Sequence, residues 1–292
     1  MTSLTEQQNS TSINIDQMNP DEILTLINSE DQKVPRAVNE AIPVITKFVD
    51  KVISCLEKGG SLFYIGSGTS GRLGVLDAVE CVPTFSVPST MVQGIIAGNK
   101  DAMFRSIEGA EDDKAAGERA VLEAGISDRD VILGIAASST TPYVLAALKT
   151  AKQNGTFTGL LCCNEALQSD FVDVLIPIIV GPEVITGSTR MKSGTATKLV
   201  LNMITTTTMI KLNKTYGNLM VDLKACNQKL WERGTRLVAH FTDLPHNEAG
   251  ELLRNCDGEV KTAIVVHKLK ISQDEARKTL KDASGSLRSV IG

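Results

Sequence analysis

The sequence predicts an α/β fold built on a parallel sheet, and three observations predict it. Short apolar runs alternate with stretches whose apolar residues recur at helical spacing. Two of these runs pass directly into hydroxyl-rich loops, GSGTSGR at 66–72 and ASSTTP at 137–142, each followed by a helical pattern. Hydrophobic residues make up 42% of the chain but aromatic residues only 4%, so the core must be built from Ala, Val, Ile and Leu. Strands joined through helices run parallel, with helices covering both faces of the sheet.

The elements follow in order. Residues 1–19 are polar and read as a loosely held arm. Pro20 with Asp21 and Glu22 marks a helix start, because proline and acids suit a first turn. Residues 34–58 carry Val38, Ile42, Ile45, Phe48, Val49, Val52, Ile53 and Leu56 at helical spacing, and Gly59-Gly60 ends that helix. Residues 61–65 read as a strand and 72–80 as its helix; 131–136 and 143–152 repeat the pair. Residues 156–161 and 172–180 read as two more strands, with 164–170 between them as a short helix or loop. After Thr189 the strand signals stop. Residues 193–212 read as a long buried helix, 219–239 as another, and the tail from Asn247 as three short ones, with a capping box at Ser272 and Glu275. The chain divides into an arm with helices over 1–50, an α/β domain over 51–214 and a helical region over 215–292.

Composition excludes several classes. The 292 residues carry a net charge of −4 and 22% charged residues, an ordinary globular balance without the basic surface that nucleic acid requires. The start has no basic, apolar leader, and the apolar runs at 174–180 and 199–210 are too short or too polar for a bilayer. A cytoplasmic protein is expected, with no nucleic-acid or membrane partner. Cys55, Cys81, Cys162, Cys163, Cys226 and Cys256 lack metal spacing and read as reduced and mostly buried. His240, His246 and His267 lack metal-type neighbours, so no metal or other cofactor is expected. No G-x-S-x-G elbow suggests a serine hydrolase.

The loop Gly66-Ser67-Gly68-Thr69-Ser70-Gly71 carries the strongest chemical signal. Glycines admit close approach of backbone amides, Ser67, Thr69 and Ser70 add hydroxyls, and the next helix aims its positive end at the loop. It is not a P-loop, since Gly-Lys-Ser/Thr is missing. It fits G-x-G-x-x-G, but the following segment, CVPTFSVP, is irregular and offers no ribose-binding acid after a strand. The bland alternative is a tight turn without a ligand. Ser138, Ser139, Thr140 and Thr141 form a second such loop, and both should stand at the carboxyl edge of the sheet, where a phosphosugar needs many short-range donors. Three carboxylates lie near that edge: Glu80 before an apolar turn, Glu111 in an acidic run that also suits a helix start, and Glu183 after the last strand. Spacing does not choose among them. TGSTRMKSGTATK at 186–198 either contacts substrate or caps the long helix, with Lys192 as a solvated charge.

The segments YIGSGTSGRLGVLDAVEC, GIIAG, EGAEDD, GIAAS, TPYVL, GPEVITGSTRMKSGTATKLVLNM and YGNLMVDLKACNQKL resemble, in order and spacing, the N-acetylmuramic acid 6-phosphate etherase family of sugar isomerase (SIS) proteins. The glucokinase regulatory protein is a longer relative with two such modules. The resemblance implies a flavodoxin-like SIS three-layer sandwich with N-terminal helices and a small C-terminal helical module. It implies a homodimer with the sugar site near the subunit interface, and a carbon–oxygen lyase acting in cell-wall amino-sugar recycling. Such an enzyme removes the D-lactyl ether of N-acetylmuramic acid 6-phosphate by elimination and water addition. The family's catalytic glutamates fall on Glu80, as proton donor, and Glu111, as its partner. Its phosphosugar contacts fall on Ser67, Gly68, Thr69, Ser70, Ser138, Ser139 and Thr141. The sequence departs from the family at Val82 (Pro), Ser86 (Gly), Ser139-Thr140 (Gly-Arg) and slightly at Cys162-Cys163-Asn164. Two other readings remain: an aldose–ketose isomerase with Glu183 as base, and a phosphosugar sensor without catalysis.

Overall fold

The computed structural model describes residues 4–165, 169–225 and 227–292. The chain forms two compact units, Met1–Val79 with Ser89–Thr205, and Glu80–Pro88 with Thr206–Gly292.

The first unit begins with the arm, which is pinned rather than loose. Thr5, Asn9 and Ser12 are buried. The Thr5 N–H donates to Asn164 Oδ1 at 3.2 Å, and the Gly187 N–H donates to Thr5 O at 3.0 Å. Asn9 Nδ2 donates to Pro182 O at 3.2 Å, and Ser12 Oγ to Val184 O at 2.7 Å. The polarity that suggested a solvated arm instead satisfies buried backbone groups of the 182–187 segment.

Helix α1, Pro20–Asp31, starts with a complete capping box between Asn19 and Glu22. Then follow α2 (Val34–Glu57), β1 (Leu62–Gly66), α3 (Gly68–Phe85), β2 (Val92–Ile96), α4 (Lys114–Glu123), β3 (Val131–Ile135), α5 (Pro142–Gln153), β4 (Phe157–Cys162), β5 (Val174–Pro177) and α6 (Lys192–Lys211). The five strands are all parallel, in the order β2-β1-β3-β4-β5. This is the flavodoxin-like order.

Helices cover both faces of the sheet. On one face, Val144, Ala147 and Leu148 of α5 share a buried cluster with Phe63, Ile65, Ile132 and Leu160. Each large side chain buried this way contributes about 2 kcal/mol. On the other face the Phe48 ring of α2 lies 6.3 Å from that of Phe157. Phe157 and Leu160 sit three apart on β4 and therefore point to opposite faces. The result is a three-layer sandwich.

Several elements differ from the sequence reading. Helix α3 runs on to Phe85 instead of stopping at Glu80. Pro83 sits inside it and forfeits one helix bond, but the ladder resumes with the Ser86 N–H donating to Val82 O at 3.0 Å. Two elements went unread. Strand β2 is a half-buried edge strand with Gly94 at its centre, and α4 buries only Gly117 and Val121, so neither shows an apolar pattern. The strand read at 172–180 spans only 174–177. Of the segment 164–170, residues 166–168 lie outside the described residues.

The second unit holds α7 (Gln228–Thr242), α8 (His246–Asn255), α9 (Val260–Leu269), α10 (Gln273–Asp282) and α11 (Leu287–Ile291), packed around Leu230, Val238, Leu253, Val260, Ile264, Leu280 and Leu287. The tail thus has four helices rather than three, and the Ser272–Glu275 capping box is present. The helix read from residue 219 starts only after Asn227, whose side chain accepts from the Leu230 N–H at 2.9 Å. Before it, Val221, Leu223 and Ala225 are buried in alternation, the period of extended chain, and the Ala225 N–H donates to Gly258 O at 3.0 Å.

Cys55, Cys162, Cys163 and Cys256 are free and buried, and Cys81 is buried too; Cys226 lies outside the described residues. Burial pushes the Cys162 thiol up to about 11 and Cys163 up to about 12, so both stay protonated and unreactive. Among the described residues no helix is long and apolar enough to cross a membrane.

Candidate active site

The strands' carboxyl ends share one edge, and the two hydroxyl-rich loops leave from β1 and β3 there. A cavity of about 290 Å³ opens between them. Ser67, Gly68, Thr69 and Ser70 line one wall, and Ala136, Ala137, Ser138 and Thr141 another. Glu111, Gly187, Thr189, Thr5 and Glu6 complete the lining. Larger hollows of about 560 and about 650 Å³ lie between α7 and α8 and along β2, and neither is lined by residues of these loops.

The glycine loop is tighter than its sequence suggests, because α3 already begins at Gly68. The Gly71 N–H donates to Ser67 O at 3.1 Å, and a Cβ on Gly66 would stand 2.8 Å from Gly71 N. Those two glycines therefore serve the turn itself. Gly68, at φ +50° with open space around it, is the one left open to the cavity. The first turn of α3 forms the wall, so amides that a helix leaves without internal partners stand beside the cavity. Asp77 holds α3 in place: it accepts from Tyr64 Oη at 3.1 Å and Asn202 Nδ2 at 2.7 Å. Burial raises its pKa against these bonds.

The second wall is the start of α5. Thr141 is its N-cap residue but makes no side-chain capping bond, which leaves the hydroxyl for the cavity. Ser138 Oγ accepts from Thr140 N at 3.3 Å and Thr140 Oγ1 at 3.2 Å. Ser139 does not line the cavity. It has φ +65°, a left-handed conformation, where the resemblance expects glycine; Ser86, the other Gly-to-Ser departure, has φ +50°. Ser86 Oγ accepts from the Lys224 N–H at 3.0 Å. Among the described residues the Ser139 hydroxyl makes no such contact. Ser139→Gly should therefore stabilise the protein by about 1 kcal/mol, read as a higher urea midpoint; a lower midpoint would show that the serine is not strained.

The acidic run divides by role. Asp113 caps α4 by accepting from the Ala116 N–H at 2.8 Å, Glu108 pairs with Ser106, and Glu111 reaches the cavity. The main chain of Glu111 is held at the head of α5, where the Tyr143 N–H donates to Glu111 O at 3.0 Å. Glu80 lies on the last turns of α3, is exposed, belongs to the second unit and is not among the residues lining the cavity. Exposed apolar side chains, Leu76, Val79 and Val82, flank Glu80 on the helix but do not enclose its carboxyl in this chain.

Glu183 is fully buried. Its carboxylate accepts from the Lys192 and Ser193 N–H groups at 2.9 Å each and from Ser193 Oγ at 2.8 Å. It caps α6, which argues against the isomerase reading that made it the base. Lys192, read as a solvated charge, is buried, and its Nζ pairs with Glu30 Oε2 at 2.8 Å. Between these two residues, Gly187 and Thr189 reach the cavity. Thr5 and Glu6 were not read as site residues, because only their distant partners bring them there.

No group of His, Cys, Asp and Glu among the described residues could hold a metal ion. His246 Nε2 lies 3.4 Å from Glu232 in an exposed pair on the second unit.

With this geometry, similarity to known proteins becomes informative. The family profile of the glucokinase regulatory protein N-terminal SIS domain matches residues 44–152, the stretch that supplies both loop walls and Glu111. An N-acetylmuramic acid 6-phosphate etherase of Brucella anthropi is 48% identical over 289 residues, covering 99% of this chain and 94% of that protein. One of Geobacillus sp. is 46% identical over 288 residues, 98% of each chain. One of Clostridium beijerinckii is 48% identical over 290 residues, covering 98% of this chain and 95% of its own. The matched stretch takes in arm, sandwich and tail alike, and at this identity the chain belongs to the N-acetylmuramic acid 6-phosphate etherase family.

Proposed function

We propose that this chain is a carbon–oxygen lyase that converts N-acetylmuramic acid 6-phosphate to N-acetylglucosamine 6-phosphate and D-lactate. The observation that carries the reading is a small cavity lined by hydroxyls and two helix N-termini, with the Glu111 carboxylate on its wall. The helix ends and hydroxyls suit the 6-phosphate. With the sugar ring open, its aldehyde acidifies the C2 hydrogen. A carboxylate removes that proton, a carboxylic acid protonates the C3 ether oxygen, and D-lactate leaves. Water then adds to the unsaturated aldehyde. Two carboxyl groups of different proton affinity suffice for these proton transfers.

Glu111 is the group we assign to the C2 proton or to water, supported by its place in the cavity. Glu80 is assigned as proton donor to the ether oxygen on the match of its Ala78-Val79-Glu80-Cys81 segment to the family. Ser67, Gly68, Thr69, Ser70, Ser138 and Thr141 are assigned to the phosphosugar, with Ser139 shaping the loop between the last two. We further infer a homodimer, supported by the exposed Leu76, Val79 and Phe104 side chains, and a cytoplasmic location, which suits a phosphosugar substrate. The reaction would serve recycling of cell-wall amino sugars. Purified protein incubated with N-acetylmuramic acid 6-phosphate should release D-lactate and N-acetylglucosamine 6-phosphate in equal amounts. Bound but unconverted substrate would instead support a sensor.

A further inference from the structure

We propose that Glu6 is a substrate-contacting, specificity-determining carboxylate of this cavity, accepting hydrogen bonds from the N–H and hydroxyl donors of the sugar. The inference rests on the phosphosugar reading above and adds a residue to it.

Glu6 is delivered by a latch. Its neighbour Thr5 is fully buried and is held from two sides of the cavity. Asn164 accepts from the Thr5 N–H at 3.2 Å and donates from Nδ2 to Thr5 Oγ1 at 3.1 Å and to Ala137 O at 2.8 Å. Gly187, on the other side, donates its N–H to Thr5 O at 3.0 Å. Thr5, Ala137 and Gly187 all line the cavity, so the latch fixes the wall from which Glu6 extends.

The space that Glu6 occupies depends on Gly187. That residue has φ +75°, and a Cβ on it would stand 3.1 Å from Glu6 Oε2. The bare glycine thus leaves room for the carboxylate against the chain. Among the described residues no lysine or arginine lines the cavity. Lys192, the buried cation that follows this segment, is engaged by Glu30.

Charge assigns the ligand group. A phosphate is an acceptor and an anion, and a carboxylate can only repel it. The phosphate therefore belongs at the helix N-termini, and Glu6 needs a donor. The hydroxyl and acetamido N–H groups of an amino sugar are donors, and a hydrogen bond to a charged acceptor is stronger than one between neutral groups.

The test is calorimetric titration of the full chain and its Glu6→Ala and Glu6→Gln variants with N-acetylglucosamine 6-phosphate and with inorganic phosphate. Glu6→Ala should weaken sugar-phosphate binding about tenfold or more, while phosphate affinity changes by less than about twofold. Glu6→Gln, which keeps an acceptor oxygen, should lose less. Equal affinity of wild type and Glu6→Ala for the sugar phosphate would overturn the assignment. Parallel loss of both ligands in Glu6→Ala would overturn it too, because the side chain would then be acting on the fold. A wild-type protein that binds phosphate but not the sugar phosphate would overturn the phosphosugar reading and this inference with it, and the wild-type titration alone identifies that case.

Discussion

Glu111→Gln should release D-lactate at least about a hundredfold more slowly than the wild type, with unfolding temperature unchanged. Glutamine keeps the size of the side chain and its acceptor oxygen but cannot take up a proton. The side chain is exposed, and Glu111 is positioned through its main-chain carbonyl at the head of α5, so the substitution leaves that contact intact. The loss should fall on kcat, while affinity for N-acetylglucosamine 6-phosphate stays within a few-fold of wild type. Glu80→Gln should also abolish turnover and preserve binding. Unchanged turnover in either variant would remove that residue from the proton-transfer pair. A loss confined to KM would mark Glu111 as a binding group alone.

Lys192→Met should destabilise the protein by about 3 kcal/mol, because it removes the buried cation from a buried carboxylate and leaves it only the half-exposed Lys33 as ionic partner. Both partners are almost fully buried, with side-chain exposures of 1% for Lys192 and 2% for Glu30. Burial alone pushes the Glu30 carboxyl up; the bonds from Lys192, Lys33 and Asn9 outweigh it and hold the pKa at about 2, below an ordinary 4.5. A depressed folded-state value stabilises the protein above the unfolded pKa and is lost as pH falls. Glu30 therefore contributes on the order of 3 kcal/mol above pH 4.5, declining as pH falls toward 2. Acid unfolding of the wild type should be steep in that window and flatter in Glu30→Gln. The double variant Glu30→Leu with Lys192→Met should recover much of the single-variant loss, since an apolar pair can replace a buried ion pair. A Lys192→Met urea midpoint equal to wild type would show that Glu30 is sustained by Lys33 and Asn9 without it. Because Lys192 opens α6 just after the Gly187–Thr189 wall, activity should fall together with stability.

The sandwich was legible because its strands are buried on both faces and its helices carry apolar stripes. Val131–Ile135, for instance, is buried along its whole length. Strand β2 escaped because an edge strand is paired on one side only, and α4 because its two buried positions make no stripe. The segment 219–227 was misread although its buried residues alternate with a period of two; Leu219 and Met220 before them blur that signal. Both hydroxyl loops stand out in the sequence through their residue types, whereas Glu111 is one of three candidate carboxylates there and is singled out, with Glu80, only by the family resemblance. Glu6, Gly187 and the buried state of Lys192 depend on pairings between residues far apart in the chain, to which local patterns are blind. The Glu30–Lys192 pair spans 162 positions.

The pinned arm also has a consequence for how the molecule is made. The latch and its neighbouring contacts join residues 159, 172 and 173 positions apart. The arm is synthesised before its partners: Asn164 emerges only after β4, and Pro182, Val184 and Gly187 only after β5. Contacts of such separation pay a large loop-closure entropy and form late. The sheet can be complete while the pocket still lacks one wall, so a refolding chain should regain its near-ultraviolet signal before its affinity for a sugar phosphate. A stopped-flow experiment that follows both would find the ligand-binding phase trailing, with the lag shortened when the arm is already docked.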